Sequence, residues 1–512
     1  MASETPLGQP TWFGDLSNAR LVCGSPVEAV AICHDSRLVV PGAIFVAVPG
    51  LTVDGNRFIP DAIARGASSI VVEEGLLQEW QPFMNEGSAF VAVPDARVAL
   101  AEAAAAFYRY PARTLGTIGV TGTDGKTTTT HLIAHVLNEN GVATGYLSSV
   151  EFGTGHSVEL NASHMTTLEA TEIQRYLASV RDAGCRYAAV EASSIGLDLH
   201  RVDMCEFDVG VFTNLTPDHL DYHGSMKKYR EAKAILFRML GASVAKGFPK
   251  AAILNDDDPA SHSLRLVTTV PVFSYGLNAE ADVTRRDIVP DGFGTRFAAQ
   301  MSGESVPART RLMGEYNVSN CLAAVATAVS QRVPFRSAVG ALETFPGVPG
   351  RMELIDAGQE FRVVVDIAST EQSMRNVLRM LRPLTKGKLI VVFGAAGERD
   401  PGRRTGIARA VAGAADFAVI TNEDPRSEDP QAIADEIVTA LHRHGFGGNY
   451  AVQTDRRRAI ELAFGRAGKG DTVLLAGKGT EQSIVIGTTH SPWDERGVAR
   501  DLLQAQRPLE QS

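Results

Sequence analysis

The stretch Val120-Thr121-Gly122-Thr123-Asp124-Gly125-Lys126-Thr127-Thr128 limits what this chain can fold into more than any other part of it. An apolar run at 117–120 leads into two glycines, a lysine and hydroxyls, and Leu132, Ile133, Val136 and Leu137 follow at helical spacing. Strand, glycine loop, Lys-Thr and helix together make a phosphate cradle. Backbone N–H groups and the helix N-terminus face the anion, Lys126 supplies a positive charge, and Thr127 offers a hydroxyl to Mg²⁺. A Walker A loop has a glycine five positions before its Gly-Lys pair, where this chain has Val120; Gly122 lies three positions before Gly125 instead. An ordinary strand-to-helix turn is the competing reading, and Lys-Thr-Thr directly after the glycine favours the nucleotide site.

The 512 residues suggest about two to four domains. A hydrophobic fraction of 44% and a charged fraction of 21% are those of a globular protein. A net charge of −10 argues against nonspecific binding to nucleic acid or an anionic membrane. Cys23, Cys33, Cys185, Cys205 and Cys321 are scattered without a CxxC pair, as expected of reduced, packed thiols in the cytoplasm. The N-terminus does not read as a signal peptide, and no apolar run is long enough to span a bilayer.

Three blocks are expected, at 1–112, 113–346 and 347–512. The first has short apolar runs at 43–48, 69–72 and 89–93 and an alanine-rich helix at 98–108, punctuated by Tyr110-Pro111. In the second, apolar runs at 187–190, 209–212 and 251–254 alternate with helix-length segments, and a helix near 318–329 precedes the turn-rich 345–350. The third repeats the rhythm with strands at 362–365, 389–393, 417–420 and 472–475 and helices at 371–381, 432–442 and 457–467. Such alternation predicts an α/β fold with largely parallel sheets flanked by helices.

Polar residues fall at the ends of these strands, where open α/β sheets bind ligands: Glu191, Asn214 with Asp218-His219, Asn255 with 256–258, and Asp366. Each alone reads equally well as a cap or turn residue. Glu191 and Thr127 are oxygen ligands suited to Mg²⁺, whereas His219 also reads as a hydrogen-bonded histidine at a sheet edge. Lys233 lies on the apolar stripe of a helix at 226–240, with Tyr229, Leu236 and Leu240. Either its ammonium snorkels outward, or the amine is partly buried, lowered in pKa and reactive toward CO₂.

Together these residues resemble the Mur ligases, the ATP-dependent amide-forming enzymes of peptidoglycan synthesis. The likeness is greatest to the E-type branch, which adds a diamino acid to UDP-MurNAc-L-Ala-D-Glu. It runs through all three blocks. The first carries His34-Asp35-Ser36-Arg37, Pro41-Gly42 and Asp54-Gly55. The second carries the glycine loop, Glu191-Ala192-Ser193-Ser194, His200-Arg201, Thr213-Asn214-Leu215, Asp218-His219-Leu220-Asp221-Tyr222-His223, Tyr229 with Ala232-Lys233, and Tyr316-Asn317 with Asn320. The third carries Pro349-Gly350-Arg351, Glu398-Arg399-Asp400, Asp424-Pro425-Arg426 and Gly477-Lys478-Gly479 with Glu481.

The resemblance implies a UDP-sugar-binding α/β domain, a central P-loop ATPase-like domain and a C-terminal Rossmann-like domain. It also implies an acyl phosphate route in which ATP activates the terminal carboxylate of the UDP-sugar dipeptide. By the same resemblance, Gly122, Thr123, Asp124, Gly125, Lys126, Thr127, Thr128, Asn317, Arg351 and Asp366 bind ATP. Lys126, Glu191, His219, Lys233 and Arg351 are the catalytic set; Thr127 and Glu191 hold one Mg²⁺, and His219 with a carbamylated Lys233 a second. His34, Ser36, Leu51, Thr52, Val53, Thr166, Thr167, Ser193 and Arg201 contact the UDP-MurNAc dipeptide. Arg399, Glu423, Asp424, Pro425, Arg426, Gly477 and Glu481 receive the diamino acid. The chain is expected to act as a cytoplasmic monomer.

The sequence departs from the family pattern at Asp124, Met165, Ile195, Leu199, Ile367, Ser369, Glu423-Asp424 and Thr480. Arg426 can clasp the distal carboxylate of meso-diaminopimelate or pair with Glu423 or Glu428, while Asp424 suits the extra ammonium of lysine or ornithine. Two alternatives follow from the departures: a related ligase acting on another carboxylate, and a nucleotide- or UDP-sugar-binding paralogue without turnover.

Overall fold

The computed structural model describes residues 11–505 apart from 51–52, 85–86, 156, 164, 279, 293 and 401. Its helices and mostly parallel sheets are those expected of an α/β chain. Two compact units emerge, one of residues 1–288, 296–309 and 315–345, the other of 289–295, 310–314 and 346–512. Among the described residues no helix is long and apolar enough to cross a membrane. None of the five cysteines is in a disulfide, and four are buried.

In the first unit, a five-stranded sheet runs in the order Arg20–Cys23, Ala89–Val93, Ser69–Glu73, Ile44–Val46, Ile32–Cys33. Only its first pair is antiparallel. Asp95 caps the alanine-rich helix Ala96–Phe107 by accepting the N–H groups of Arg97 and Val98. The small side chains let this helix lie against the sheet and contact the helix Ala170–Asp182.

The larger sheet has eleven strands. At its centre Gly116–Thr121 lies between Tyr187–Glu191 and Val209–Phe212, parallel to both. Thr144–Leu147 extends one side and Ala251–Asn255 the other. Every residue of the three central strands is buried. That explains their unbroken apolar character, because helices cover both faces. The next strand after Gly116–Thr121 is displaced to one side and Val209–Phe212 to the other, so strand order reverses at the carboxyl end of the glycine-loop strand, where ligands bind in such sheets. The short strands Glu151–Gly153 and Val158–Leu160, and the three between 283 and 310, were not expected from the sequence. Two of the latter alternate buried and exposed residues, but the buried positions of the three include Thr284, Thr295, Ala299, Ala308 and Thr310, so the burial period is not a hydrophobic one.

The helix Met226–Ala242 buries Tyr229, Ala232, Lys233, Leu236, Phe237 and Leu240. Its approach to the sheet depends on Gly119, where an added Cβ would stand 2.6 Å from Leu236 Cδ1 and 3.1 Å from Phe207.

The second unit holds a six-stranded sheet in the order Glu353–Ile355, Arg362–Asp366, Thr472–Ala476, Leu389–Phe393, Phe417–Ile420, Tyr450–Val452, and a hairpin of Ser483–Ile486 with Thr489–Pro492. Only the first pair of the six is antiparallel.

Gly119→Val is expected to cost about 1–3 kcal/mol by overpacking. Urea denaturation should show a lower midpoint at unchanged slope, and Leu236→Ala, by removing the obstructing methyl, should recover part of the loss. A Gly119→Val chain as stable as the parent would refute the tight helix–sheet contact.

Candidate active site

The glycine loop leaves the central strand at Thr121 and enters the helix Lys126–Glu139 through Gly125, whose φ of 81° lies in the left-handed region that glycine adopts without strain. Its shape is held from the neighbouring strand's exit. Thr213 Oγ1 donates to the Asp124 carbonyl at 2.6 Å, and Asn214 Nδ2 donates to the same oxygen at 3.0 Å. In return the Asp124 N–H donates to Asn214 Oδ1 and the Thr123 N–H to the Asn214 carbonyl. Thr213 Oγ1 would sit 1.8 Å from a Cβ on Gly122, and Asn320 Oδ1 2.5 Å from one on Gly125, so the clamp and both glycines require each other. Asn320 also ties Asn317 Oδ1 to Thr129 Oγ1.

Lys126 Nζ donates to the carbonyls of Gly122 and Thr123. Thr127 Oγ1 shares a hydrogen bond with Ser149 Oγ at 2.9 Å. Glu191 is buried one strand away, in register with Val120. Lys233 does not snorkel. It is 1% exposed, its Nζ donates to the Gly122 carbonyl at 2.7 Å, and it lies 4.2 Å from the Tyr229 ring centroid. Burial first, and the nearby Lys126 charge second, push its amine well below the ordinary lysine range. Tyr229 reaches Thr123 Oγ1 with its hydroxyl at 3.1 Å. His219 is exposed, in a left-handed turn beside Asp218, with its ring centroid 6.4 Å from that of Tyr229. His223, which the sequence did not single out as a site residue, is buried, shares a hydrogen bond with Ser194 Oγ and packs on Tyr229.

Other polar residues at strand ends serve as turns and braces. Asn255 Nδ2 donates to the Thr213 carbonyl, Asp258 accepts the N–H groups of Leu215 and Ala260, and Asp257 those of Leu277 and Asn278.

Several residues expected at the UDP-sugar form one network. Thr167 Oγ1 lies 3.0 Å from both the Glu191 carbonyl and Ser193 Oγ, and Arg201 reaches the Thr167 carbonyl and pairs with Glu169. Thr166 and Thr167 line a small cavity with Glu191. His34 Nδ1 lies 3.4 Å from Thr171 Oγ1, Ser36 is buried, and Val53 is exposed. Leu51 and Thr52 lie outside the described residues.

In the second unit, Asp366 accepts the N–H groups of Met352 and Ala368. Burial raises its pKa, against the opposing pull of Arg351. Gly350, at φ 61°, lets the Arg351 turn approach the Gly479-Thr480 backbone. Asp424 accepts from Lys478 Nζ at 2.8 Å, and Glu481 accepts from the same amine at 2.5 Å. Lys478 is completely buried and offers its one positive charge to both carboxylates, so Asp424 is paired from within, in competition with Glu481. Glu423 is buried against Gly477, and burial raises its pKa. Arg399 is exposed. Pro425 is buried, its carbonyl packed against Gly397. Arg426 makes no ion pair among the described residues. Glu428 pairs with Arg404 instead, which removes the Arg426–Glu428 reading.

The donor set fits Mg²⁺ held partly by a substrate. No cluster of three His, Cys, Asp or Glu side chains that could hold a metal occurs among the described residues, while a hydroxyl and a carboxylate stand on adjoining elements beside a phosphate cradle. Mg²⁺ commonly binds through one or two protein oxygens plus phosphates.

Fold and loop define an α/β protein of the phosphate-loop class. The family models that match are the Mur ligase family catalytic domain at 28–108, the Mur ligase middle domain at 120–328 and the Mur ligase glutamate ligase domain at 350–479. A UDP-N-acetylmuramyl-tripeptide synthetase of Roseiflexus sp. (strain RS-1) is 42% identical over 488 residues, covering 93% of this chain and 94% of its own. A UDP-N-acetylmuramoyl-L-alanyl-D-glutamate–2,6-diaminopimelate ligase of Geobacillus kaustophilus (strain HTA426) is 40% identical over 477 residues, covering 93% and 95%. A solved structure of a ligase with that same name has a TM-score of 0.64 at 29% identity, covering 94% of this chain and 95% of its own. The chain belongs to the Mur ligase family.

Lys233→Met should change how stability depends on pH. Between the depressed native value and the ordinary value of about 10.4, the unfolded chain carries a proton that the native chain lacks. Raising pH through that window therefore favours the native state. Chemical denaturation in carbon-dioxide-free buffer should show this rise in the parent and a flatter profile in Lys233→Met; identical profiles would contradict the buried amine.

Proposed function

We propose that this chain is an ATP- and Mg²⁺-dependent acid–amino-acid ligase that adds a diamino acid, meso-diaminopimelate in preference to lysine or ornithine, to UDP-MurNAc-L-Ala-D-Glu. The observation that carries the reading is the clamped glycine loop, with Lys126 and Thr127 at its helix and the buried Lys233 against the Gly122 carbonyl. We take the domains as 1–112, 113–346 and 347–512, and the working form as a cytoplasmic monomer.

A carboxylate is a poor electrophile. Its oxygen attacks the γ-phosphorus of ATP, ADP leaves, and an acyl phosphate forms. The amine of the diamino acid then attacks the acyl carbon, gives up a proton and displaces phosphate. Little covalent work falls to the protein, so positioning and neutralisation of charge dominate. In this reading loop N–H groups and Lys126 receive the phosphates, with Gly122, Thr123, Asp124, Gly125, Thr128 and Asn317 shaping the nucleotide pocket. Thr127 and Glu191 hold Mg²⁺, which when bound offsets the negative charge of the transferring phosphoryl group. Arg351 and Asp366 belong to the nucleotide site, with Arg351 toward the transferred group. The Thr167–Ser193–Arg201 network, with His34, Ser36, Val53 and Thr166, orients the UDP-sugar dipeptide.

The amino acid falls to Arg399, Glu423, Asp424, Pro425, Arg426, Gly477 and Glu481. Arg426 favours diaminopimelate because its Nε has no hydrogen-bond partner among the described residues, although the Glu398 carboxylate feels its charge, and the guanidinium can form a two-pronged bond with a distal carboxylate. The pairing of Asp424 with Lys478 weakens the case for an ammonium there.

Phosphate release from ATP, Mg²⁺ and the UDP-sugar dipeptide should require diaminopimelate. Silence with diaminopimelate, lysine and ornithine alike would overturn the proposal. Arg426→Leu should raise the KM for diaminopimelate by roughly 10- to 150-fold, the equivalent of a charged hydrogen bond of about 1.5–3 kcal/mol. Equal losses for lysine and diaminopimelate would count against the distal clasp.

Carbamylation of Lys233 belongs to the same proposal. Only a neutral amine attacks CO₂, and burial favours that form. The product is an oxygen ligand which, with His219, suits a second Mg²⁺. Incubation with ¹³C-bicarbonate should give a carbamate carbon resonance that Lys233→Met abolishes, and an unchanged spectrum in that variant would rule the modification out.

A further inference from the structure

Arg456 opens the helix Arg456–Arg466, and its side chain is completely buried. Its guanidinium makes four hydrogen bonds. Nε and Nη2 form a fork on Glu495, at 2.9 Å to Oε2 and 2.6 Å to Oε1. Nη1 donates to the Asn422 carbonyl at 2.9 Å and Nη2 also donates to the Ala476 carbonyl at 2.8 Å. Glu495, the first residue of the C-terminal helix Glu495–Ala505, is equally buried and also accepts the indole N–H of Trp493.

The two carbonyls are not neighbours in the sheet. Phe417–Ile420 and Thr472–Ala476 flank Leu389–Phe393, yet beyond the strand ends both carbonyls come within hydrogen-bond reach of one guanidinium. Asn422 immediately precedes Glu423-Asp424-Pro425-Arg426, and Ala476 immediately precedes Gly477 and the segment leading to Glu481. One guanidinium thus ties the roots of two loops across an intervening strand. Lys478 ties the same loops further out, through Asp424. A buried ion pair is weak evidence for stability, since desolvating both charges offsets most of their attraction, so a role in fixing geometry is the better account of this one.

We propose that Arg456, held by Glu495, is a positioning residue for the incoming amino acid. It sets the separation of the 423–426 and 477–481 loops and thereby the fit of the diamino acid between them. This rests on the assignment of those loops to the amino acid. Arg456 touches no substrate in this account. Its effect falls on amino-acid binding and leaves activation of the carboxylate alone.

The test compares the parent with Glu495→Gln, Arg456→Lys and the apolar double variant Arg456→Met/Glu495→Met. For each, KM is measured for diaminopimelate, ATP and the UDP-sugar dipeptide, and acyl phosphate is trapped with hydroxylamine in the absence of amino acid. All three variants should raise the diaminopimelate KM tenfold or more. The other two KM values should stay within about twofold, and trapping should be unchanged. The double variant removes both charges together, which avoids an orphaned buried ion and keeps the chain folded. A folded double variant with parental diaminopimelate KM would overturn the proposal, as would parallel losses in all three KM values and in trapping. Failure of the parent itself to consume any diamino acid would instead refute the ligase reading.

Discussion

Two lysines converge on one carbonyl oxygen. Gly122 accepts from Lys233 at 2.7 Å and from Lys126 at 3.2 Å, and much of the first unit is arranged so that this meeting occurs. Lys233 arrives because Gly119 lets its helix lie close against the central strand. Lys126 arrives because Gly125 turns the chain abruptly into a helix. Neither would meet a fixed target without Thr213 and Asn214, which hold the Asp124 carbonyl from the adjoining strand. Two ammonium groups so close repel, and the repulsion joins burial in depressing Lys233. The loop is therefore a shaped and charged surface set by packing several residues away.

The second unit solves a related problem with charges instead of glycines. Lys478 and Arg456 are both without solvent exposure, and each spans the loops beginning at 423 and 477. Each has carboxylate partners: Asp424 and Glu481 share the lysine's single positive charge, and Glu495 matches the arginine one for one. Glu423 sits among them with its pKa raised by burial, and Arg403 pulls it back most strongly of the cations around it. Electrostatic balance here is local, and the formal charge of any single residue in the sequence says little about the potential a ligand would meet.

That locality also governs what could be read from the chain. Buried parallel strands were legible, since they are unbroken apolar runs between turn signals; Leu389–Phe393 and Phe417–Ile420 were found with both ends correct. The glycine loop was legible because its backbone demands a rare residue pattern. The extension between 283 and 310 was not, because its strands are half exposed and several of its buried positions are Thr or Ala, so burial alternates without a matching hydrophobic alternation. Nor were Thr213, Asn320 and Ser149 legible as supports of the loop, since each acts through a contact far away in sequence. Asn255 and Asp258 looked like candidates for chemistry and turned out to brace turns, because a carboxylate at a strand end is suited to both tasks.

Asp424 illustrates how far a single departure from a family pattern can be interpreted. An aspartate where asparagine is usual adds a negative charge, and taken alone that change invites an ammonium-bearing ligand. In the fold, one of its oxygens accepts both the Lys478 amine and the Val485 N–H, so the added charge strengthens an internal bond. A bond to a charged group is about twice as strong as a neutral one, and it is made here between the loops that begin at 423 and 477. The substitution thus acts on the rigidity of the loops as much as on the sign of the pocket. The same logic applies to Asp124, whose carbonyl carries the clamp while its carboxylate, outside those hydrogen bonds, acts on Lys233 through charge alone. Departures that look chemical in a sequence can leave the chemistry in place when the main chain, and not the side chain, makes the essential contact.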